Sequence, residues 1–204
     1  MRKSASVAAL VLAVTACGGD DDAAPTPIPT ATATAVPTAT ATAVPTATAA
    51  PTATATPLDF AAEAADFDCI LDWEPVRTFR ITNKLGFLAE AVDLAENPVA
   101  GSQFPVGTII QLFPGEAMVK RGESYDPANN NWEYFELDTS SEGTTIRVRG
   151  RDEVVNRFGA QCFGCHAGAR DFDFICETDR GCVDLGIPRS LFETLQNADP
   201  RCAR

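Results

Sequence analysis

Two neighbouring segments, 131-NWEYFELD-138 and 143-GTTIRVRG-150, decide the fold. In both of them apolar residues alternate with charged or polar residues, and a period of two predicts a half-buried β-strand. The turn-forming run YDPANNN precedes the first segment, and only a short link joins the two. Short links join antiparallel neighbours, so these two segments, together with a strand predicted over 106–115, indicate a meander. In the first segment, one side would carry Trp132 and Tyr134, continued by Phe135 or Leu137, and the other side the glutamates.

The remaining chain beyond the N-terminal third supplies further strands and helices. Runs of branched and aromatic residues between glycine and proline signals predict strands, and apolar residues three or four positions apart predict helices. The fold class is therefore α+β, with flanking helices on an antiparallel sheet. We predict strands over 77–83 and 106–115, a helix over 85–97, a helix over 152–166 with Asp152 as its N-cap, and a closing helix over 188–197 with Pro188 in its first turn.

The stretch 160-AQCFGCHAGA-169 contains the pattern Cys-x-x-Cys-His, and His166 is the only histidine in the chain. This pattern is the attachment signature of c-type haem, because thiols one helical turn apart reach both vinyl groups of the porphyrin and the next imidazole reaches the iron. A zinc site would need four ligands, and a redox disulfide would need a βαβ context. We therefore predict one covalent haem c on Cys162 and Cys165 with His166 as the metal ligand, and a redox disulfide or a metal site remains the alternative.

The iron's sixth coordination position is constrained by the composition of the chain. A single histidine excludes bis-histidine ligation within one chain, and Met118 is the only methionine besides Met1. Met118 precedes Cys162 by 44 residues, whereas in small electron-transfer cytochromes c the ligand methionine follows the motif. This reversed order favours an open distal face, with Met118 as a core residue. The alternative is Met118 as the sixth ligand.

The N-terminus resembles a bacterial lipoprotein precursor. Two basic residues and a short apolar run precede VTAC, which ends at Cys17 and resembles a lipobox. We predict a signal peptide over 1–16 and a lipid anchor on Cys17, the alternative being ordinary cleavage nearby. The following Thr/Ala/Pro segment cannot bury enough apolar surface to fold, so 17–57 is expected to be a disordered stalk. A haem domain over 58–204 would then be tethered to the outside of a bacterial membrane, in the periplasm or at the cell surface.

Charge and cysteine content narrow the classes of partner and compartment. Residues 58–204 hold 14 Lys and Arg against 25 Asp and Glu, a formal charge of −11, which argues against nucleic acid and permits a basic redox partner. Four cysteines outside the motif and the anchor indicate two disulfides in an exported chain. Three pairings are open; one joins Cys176 to Cys182 in a short loop and Cys69 to Cys202.

Three segments together resemble the cytochrome P-460 family, which includes the cytochromes c′-beta. They are FPVGTIIQLF at 104–113, NWEYFEL at 131–137 and the late CFGCH at 162–166, and the resemblance spans roughly 76–172. It implies an antiparallel sheet packed against the haem, a five-coordinate iron held by His166, and binding or oxidation of hydroxylamine, nitric oxide or carbon monoxide. Some members cross-link a lysine to the porphyrin, but Lys84 and Lys120, the only lysines of the domain, are expected to be surface charges.

Several other residues are candidates for roles near a haem, each with a simpler alternative. Glutamates could carry protons or could be exposed, and strand arginines could pair with propionates or face solvent. Aromatic side chains are expected in the core, and one of them could cap the distal face. The candidates are Glu116, Glu133, Arg147, Arg149, Phe104, Phe113, Trp132, Tyr134 and Phe135; Asp171 and Asp173 are expected at the surface.

Two functions follow from these observations. The first is a membrane-tethered extracytoplasmic mono-haem cytochrome with an open or weakly ligated distal site, which binds or oxidises small nitrogen compounds or diatomic gases. The second is an electron-transfer cytochrome that passes electrons between membrane partners, with Met118 as sixth ligand.

Overall fold

The structure, a computed structural model, describes residues 58–156, 159–184 and 186–202. The predicted signal peptide, the lipid anchor at Cys17 and the stalk lie outside the described residues. No helix in the described part of the chain is both long and apolar enough to cross a membrane.

Six strands form one antiparallel sheet in which neighbours in sequence are neighbours in space. The predicted meander and the α+β class are therefore confirmed, and three α-helices flank the sheet. The strands are β1 Glu74–Val76, β2 Phe79–Asn83, β3 Thr108–Phe113, β4 Glu116–Lys120, β5 Trp132–Ser140 and β6 Gly143–Arg149.

Strand β4 was not predicted, because its sequence EAMVK shows no alternation of polar and apolar residues. Four of its five residues are buried, so both faces of the strand are covered. A two-residue Pro114-Gly115 turn joins it to β3, where Phe113 pairs with Glu116. The prediction of a strand over 106–115 therefore included the turn as well as β3.

The two faces of the sheet each bury an apolar core. The motif face, as we call it, carries Ile81, Ile110, Met118, Trp132 and Tyr134. The opposite face carries Ile109, Val119, Phe135 and Leu137 and is covered by Phe67 and Trp73. The prediction that Phe135 or Leu137 continues the Trp132 side is wrong for both, because strict period-two geometry sends them to the other, equally apolar face.

The helices agree with prediction in part. Helix α1 spans Leu88–Glu96 and α3 spans Arg189–Asn197, both within the predicted ranges, but Pro188 precedes α3 in extended conformation instead of lying in its first turn. Helix α2 is only Cys162–His166. The prediction of a helix from 152 with Asp152 as N-cap is wrong, because the chain folds back at Gly159 and Val155 pairs with Gln161.

Two disulfides close the C-terminal part of the domain. Cys69 is bonded to Cys202, 133 residues away, and Cys176 is bonded to Cys182, 6 residues away. Of the three pairings that the sequence left open, the structure has the one with a short local bond and a long-range bond. The long-range bond joins the N-terminal covering of the opposite face to the last described turn of the chain.

We expect the two disulfides to differ in their contribution to stability. The chain-entropy model assigns about 5 kcal/mol to closing a loop as long as that of Cys69–Cys202 and about 2 kcal/mol to the short Cys176–Cys182 loop. Replacing Cys69 and Cys202 together by serine should therefore lower the free energy of unfolding about twice as much as replacing Cys176 and Cys182. Urea unfolding followed by circular dichroism measures both, and equal losses would contradict the expectation.

Candidate functional site

The cysteine motif lies on a single helical turn, α2, whose five residues read CFGCH. Cys162 is buried and Cys165 is exposed. Neither thiol is disulfide-bonded, whereas the other four described cysteines are paired. The motif thus contains two unpaired thiols one turn apart, in a domain whose other described cysteines form disulfides.

The imidazole of His166 is fixed by one hydrogen bond to the main chain. Its Nδ1 lies 2.7 Å from the carbonyl oxygen of Phe174. Because a carbonyl only accepts, Nδ1 carries the proton and Nε2 carries the free lone pair. Burial lowers the pKa of His166, which keeps the ring neutral near pH 7. A neutral imidazole held at Nδ1 by a carbonyl is the usual arrangement of a histidine metal ligand.

The carbonyl of Phe174 takes its direction from an unusual backbone. Asp173 and Phe174 both have positive φ, 51° and 61°, although neither is glycine. Such conformations cost roughly 1–3 kcal/mol each for ordinary residues. Surrounding contacts must therefore hold this turn in place.

A buried ion pair supplies those contacts. Lys120 Nζ donates to both carboxylate oxygens of Asp173 at 2.8 and 2.7 Å. The same carboxylate also accepts from the backbone N–H of Phe104 at 2.7 Å and from Asn130 Nδ2 at 2.8 Å. Strand β4 and the loops before β3 and β5 thereby fix the turn that presents the Phe174 carbonyl to His166.

The prediction that Lys120 and Asp173 are surface charges is wrong. Their side chains are 3% and 1% exposed. Burial lowers the pKa of Lys120 and raises that of Asp173, and the opposite charge of each partner acts against these shifts. Lys120 lies two residues after Met118 on a strand, and this spacing is the signal that could have placed it on the buried motif face. Lys84, by contrast, is half-buried and pairs with the exposed Asp68.

The motif face of the sheet packs directly on α2. The ring of Tyr134 meets the ring of His166 edge-to-face, with centroids 5.3 Å apart. Met118 pairs across the sheet with Tyr134 and with Ile110, and it belongs to the same buried cluster as Cys162. Met118 therefore lies on the face that carries the motif, and this position is compatible with either predicted role, core residue or sixth ligand.

Burial of Cys162 distinguishes two interpretations of the motif. Desolvation, with the charge of the half-buried Glu116 next in size, raises the pKa of Cys162 to about 12. A thioredoxin-like redox cysteine needs the opposite, a lowered pKa that populates the thiolate. The environment of Cys162 is therefore unfavourable to the redox-disulfide alternative.

Glu133 lies on the opposite face and is not an exposed glutamate, so that prediction is wrong. It is 3% exposed and accepts from Arg121 at 2.6 Å and from Arg149 at 2.6 and 2.9 Å. Burial alone would raise the pKa of Glu133, but these arginines lower it overall. Glu133 points away from the motif because it alternates with Trp132 and Tyr134 along β5. Arg149, a candidate partner for a propionate, accordingly forms its ion pair with Glu133.

The remaining candidate residues lie as follows. Arg147 is exposed and pairs with Glu136 and Asp138. Asp171 is exposed, as predicted. Four of the aromatic candidates are buried in the core as expected: Phe104, Trp132, Tyr134 and Phe135. The fifth, Phe113, is half-buried.

Two cavities in the described part of the chain have walls that do not include Cys162, Cys165 or His166. One, about 10 Å³, lies between α1 and the Asp173 turn and has room for about one water molecule. The other is an open cleft of about 560 Å³ with a charged lining that includes Glu133 and Arg149. Between α2 and the sheet, side chains are packed against each other.

The donor set nevertheless fits haem c. Two unpaired thiols at the required spacing and a neutral, anchored imidazole are the protein groups that this cofactor needs. In the described ranges, no three His, Cys, Asp or Glu side chains come together as a metal-binding group. No family model, no curated protein and no solved structure matches the chain.

We expect the Lys120–Asp173 pair to be essential for the local fold. Lys120→Met would leave the Asp173 carboxylate buried without its counter-charge, and removing one partner of a buried pair costs about 3–5 kcal/mol. Lys84→Met removes a pair whose carboxylate, Asp68, is exposed to solvent, and should cost at most about 1 kcal/mol. Urea unfolding of both variants tests this difference, and a similar small loss in both would show that the buried pair does not hold the turn.

Proposed function

We propose that residues 58–204 form a c-type haem domain in which Cys162 and Cys165 hold the macrocycle and His166 ligates the iron through Nε2. The observation that carries this proposal is the anchored His166 imidazole next to two unpaired thiols on one helical turn. When bound, the haem supplies iron-centred redox and ligand-binding chemistry, which no side chain offers.

The chain's own residues would orient and shield this centre. The Phe174 carbonyl fixes the tautomer and direction of His166, and the Lys120–Asp173 pair fixes the turn that carries this carbonyl. Apolar side chains of the motif face, Ile110 and Met118 among them, would exclude water from the surroundings of the site. A dry, rigid site would favour the binding of small uncharged ligands and exclude bulk water.

The function we propose is binding or oxidation of hydroxylamine, nitric oxide or carbon monoxide at an open or weakly ligated iron. The single histidine and the core packing of Met118 support an open distal face. The alternative is electron transfer with Met118 as sixth ligand, which its place in the same cluster as Cys162 favours. Lipid attachment at Cys17 and the Thr/Ala/Pro stalk would tether the domain outside a bacterial membrane, an oxidising setting that suits two disulfides.

Covalent haem attachment gives the most direct test. We expect the full chain, produced in a host that matures c-type cytochromes, to retain one haem after denaturation, as seen by intact mass. Replacing Cys162 and Cys165 together by alanine should abolish this added mass, because both thioether bonds are lost. Replacing Cys176 and Cys182 by serine is the matched control and should preserve it. A wild-type chain without the added mass would overturn the proposal.

Ligation of Met118 is tested by the optical spectrum of the reduced haem-loaded protein. With an open site we expect a high-spin spectrum that shifts on addition of carbon monoxide and is unchanged in Met118→Leu, a substitution that roughly conserves volume. A low-spin spectrum that becomes high-spin in Met118→Leu would instead establish the electron-transfer alternative.

A further inference from the structure

The motif face contains two hydrogen-bond donors that the protein leaves unused. Among the described residues, three buried side-chain polar atoms have no partner: Asn129 Oδ1, Trp132 Nε1 and Tyr134 Oη. The two donors lie on β5, on side chains that are 0% and 2% exposed. Their Cα atoms are two residues, roughly 7 Å, apart along the strand, so both side chains project from the same side of it.

Unpaired buried donors are uncommon because each costs about 1–3 kcal/mol relative to a paired one. The same chain pairs the corresponding groups elsewhere. Trp73 Nε1 donates to Asp68 at 2.5 Å, and the hydroxyl of Tyr125 hydrogen-bonds to Glu133. These are the only other tryptophan and tyrosine in the sequence. The missing partners are therefore specific to the motif face.

The two donors lie where the proposed haem would be held. Tyr134 contacts the ring of His166, and both donors belong to the buried cluster that contains Cys162 and Phe174. Trp132 is flanked by the Phe104 ring and by Lys120 Nζ, 5.2 Å from its ring centre, so the pair borders the Lys120–Asp173 contact as well. Glu133, between them in sequence, faces away and is fully paired.

We propose that Tyr134 Oη–H and Trp132 Nε1–H form a donor pair for oxygen acceptors brought by the haem site, either a propionate carboxylate or a small ligand on the iron. This inference rests on the proposed function. It assigns two hydrogen-bond donors that would stabilise a bound oxygen atom and gives a reason for the chain alone leaving them unsatisfied.

The test uses haem-loaded full-length protein and compares Tyr134→Phe and Trp132→Phe with the matched controls Tyr125→Phe and Trp73→Phe. Two readouts separate the acceptors: the C–O stretching frequency of the ferrous carbon monoxide complex, and the midpoint potential of the ligand-free protein as a function of pH. Tyr134→Phe removes a hydroxyl with no partner in the protein, so folding is not expected to suffer, and this variant decides the outcome if Trp132→Phe does not fold.

A ligand on the iron as acceptor predicts a shift of the C–O stretch to higher wavenumber in Tyr134→Phe or Trp132→Phe, with an unchanged potential. A propionate as acceptor predicts a shifted potential or pH profile, with an unchanged C–O stretch. Either result supports the donor pair. If neither readout moves beyond the two controls, the donor pair is overturned while the haem proposal stands, and if the wild-type chain carries no haem, both are overturned.

Discussion

The hydrogen bond from His166 Nδ1 to the Phe174 carbonyl is the contact on which the candidate site depends. It exists only because Asp173 and Phe174 adopt left-handed conformations, which turn that carbonyl towards the helix. Lys120, which projects from the end of β4, holds this turn in place through its ion pair with Asp173. The charge of Lys120 in the sheet therefore supports the tautomer of a histidine on a separate helix through two contacts, Lys120 with Asp173 and Phe174 with His166, which the peptide bond between Asp173 and Phe174 connects.

The period of two along β4 and β5 separates two charged clusters with different tasks. Lys120 faces the motif side and binds Asp173, whereas the next residue, Arg121, joins Glu133 and Arg149 on the other side. Each cluster is satisfied internally, so neither adds an unpaired charge to the apolar cores. The sheet thus holds the N-terminal segment on one face, where Arg121 also binds Asp59 at 2.7 Å, and the Cys-x-x-Cys-His motif on the other.

Sequence patterns predicted what is encoded locally. The hairpin 131–150, both longer helices and the helical conformation of the Cys-x-x-Cys-His motif follow from spacing alone. Strand β4 was missed because burial on both faces erases alternation. The burial of Lys120 was missed for a related reason: its partner Asp173 lies 53 residues away, and no local pattern links them. The length of α2 was overestimated because the fold-back at Gly159 depends on a pairing of Val155 with Gln161 rather than on helix propensity.

The packing between α2 and the sheet gives the donor pair its physical meaning. A protein that buries Tyr134 and Trp132 permanently against its own side chains would gain by replacing their polar atoms, because each unpaired donor lowers stability. Here the unsatisfied donors occur on the one face that also carries unpaired thiols and the anchored imidazole. A planar cofactor placed there must displace packed side chains, and hydrogen bonds to its oxygen atoms would offset part of that cost. Tyr134 and Trp132, whose unpaired donors lower the stability of the chain alone, would then stabilise the chain with the cofactor bound.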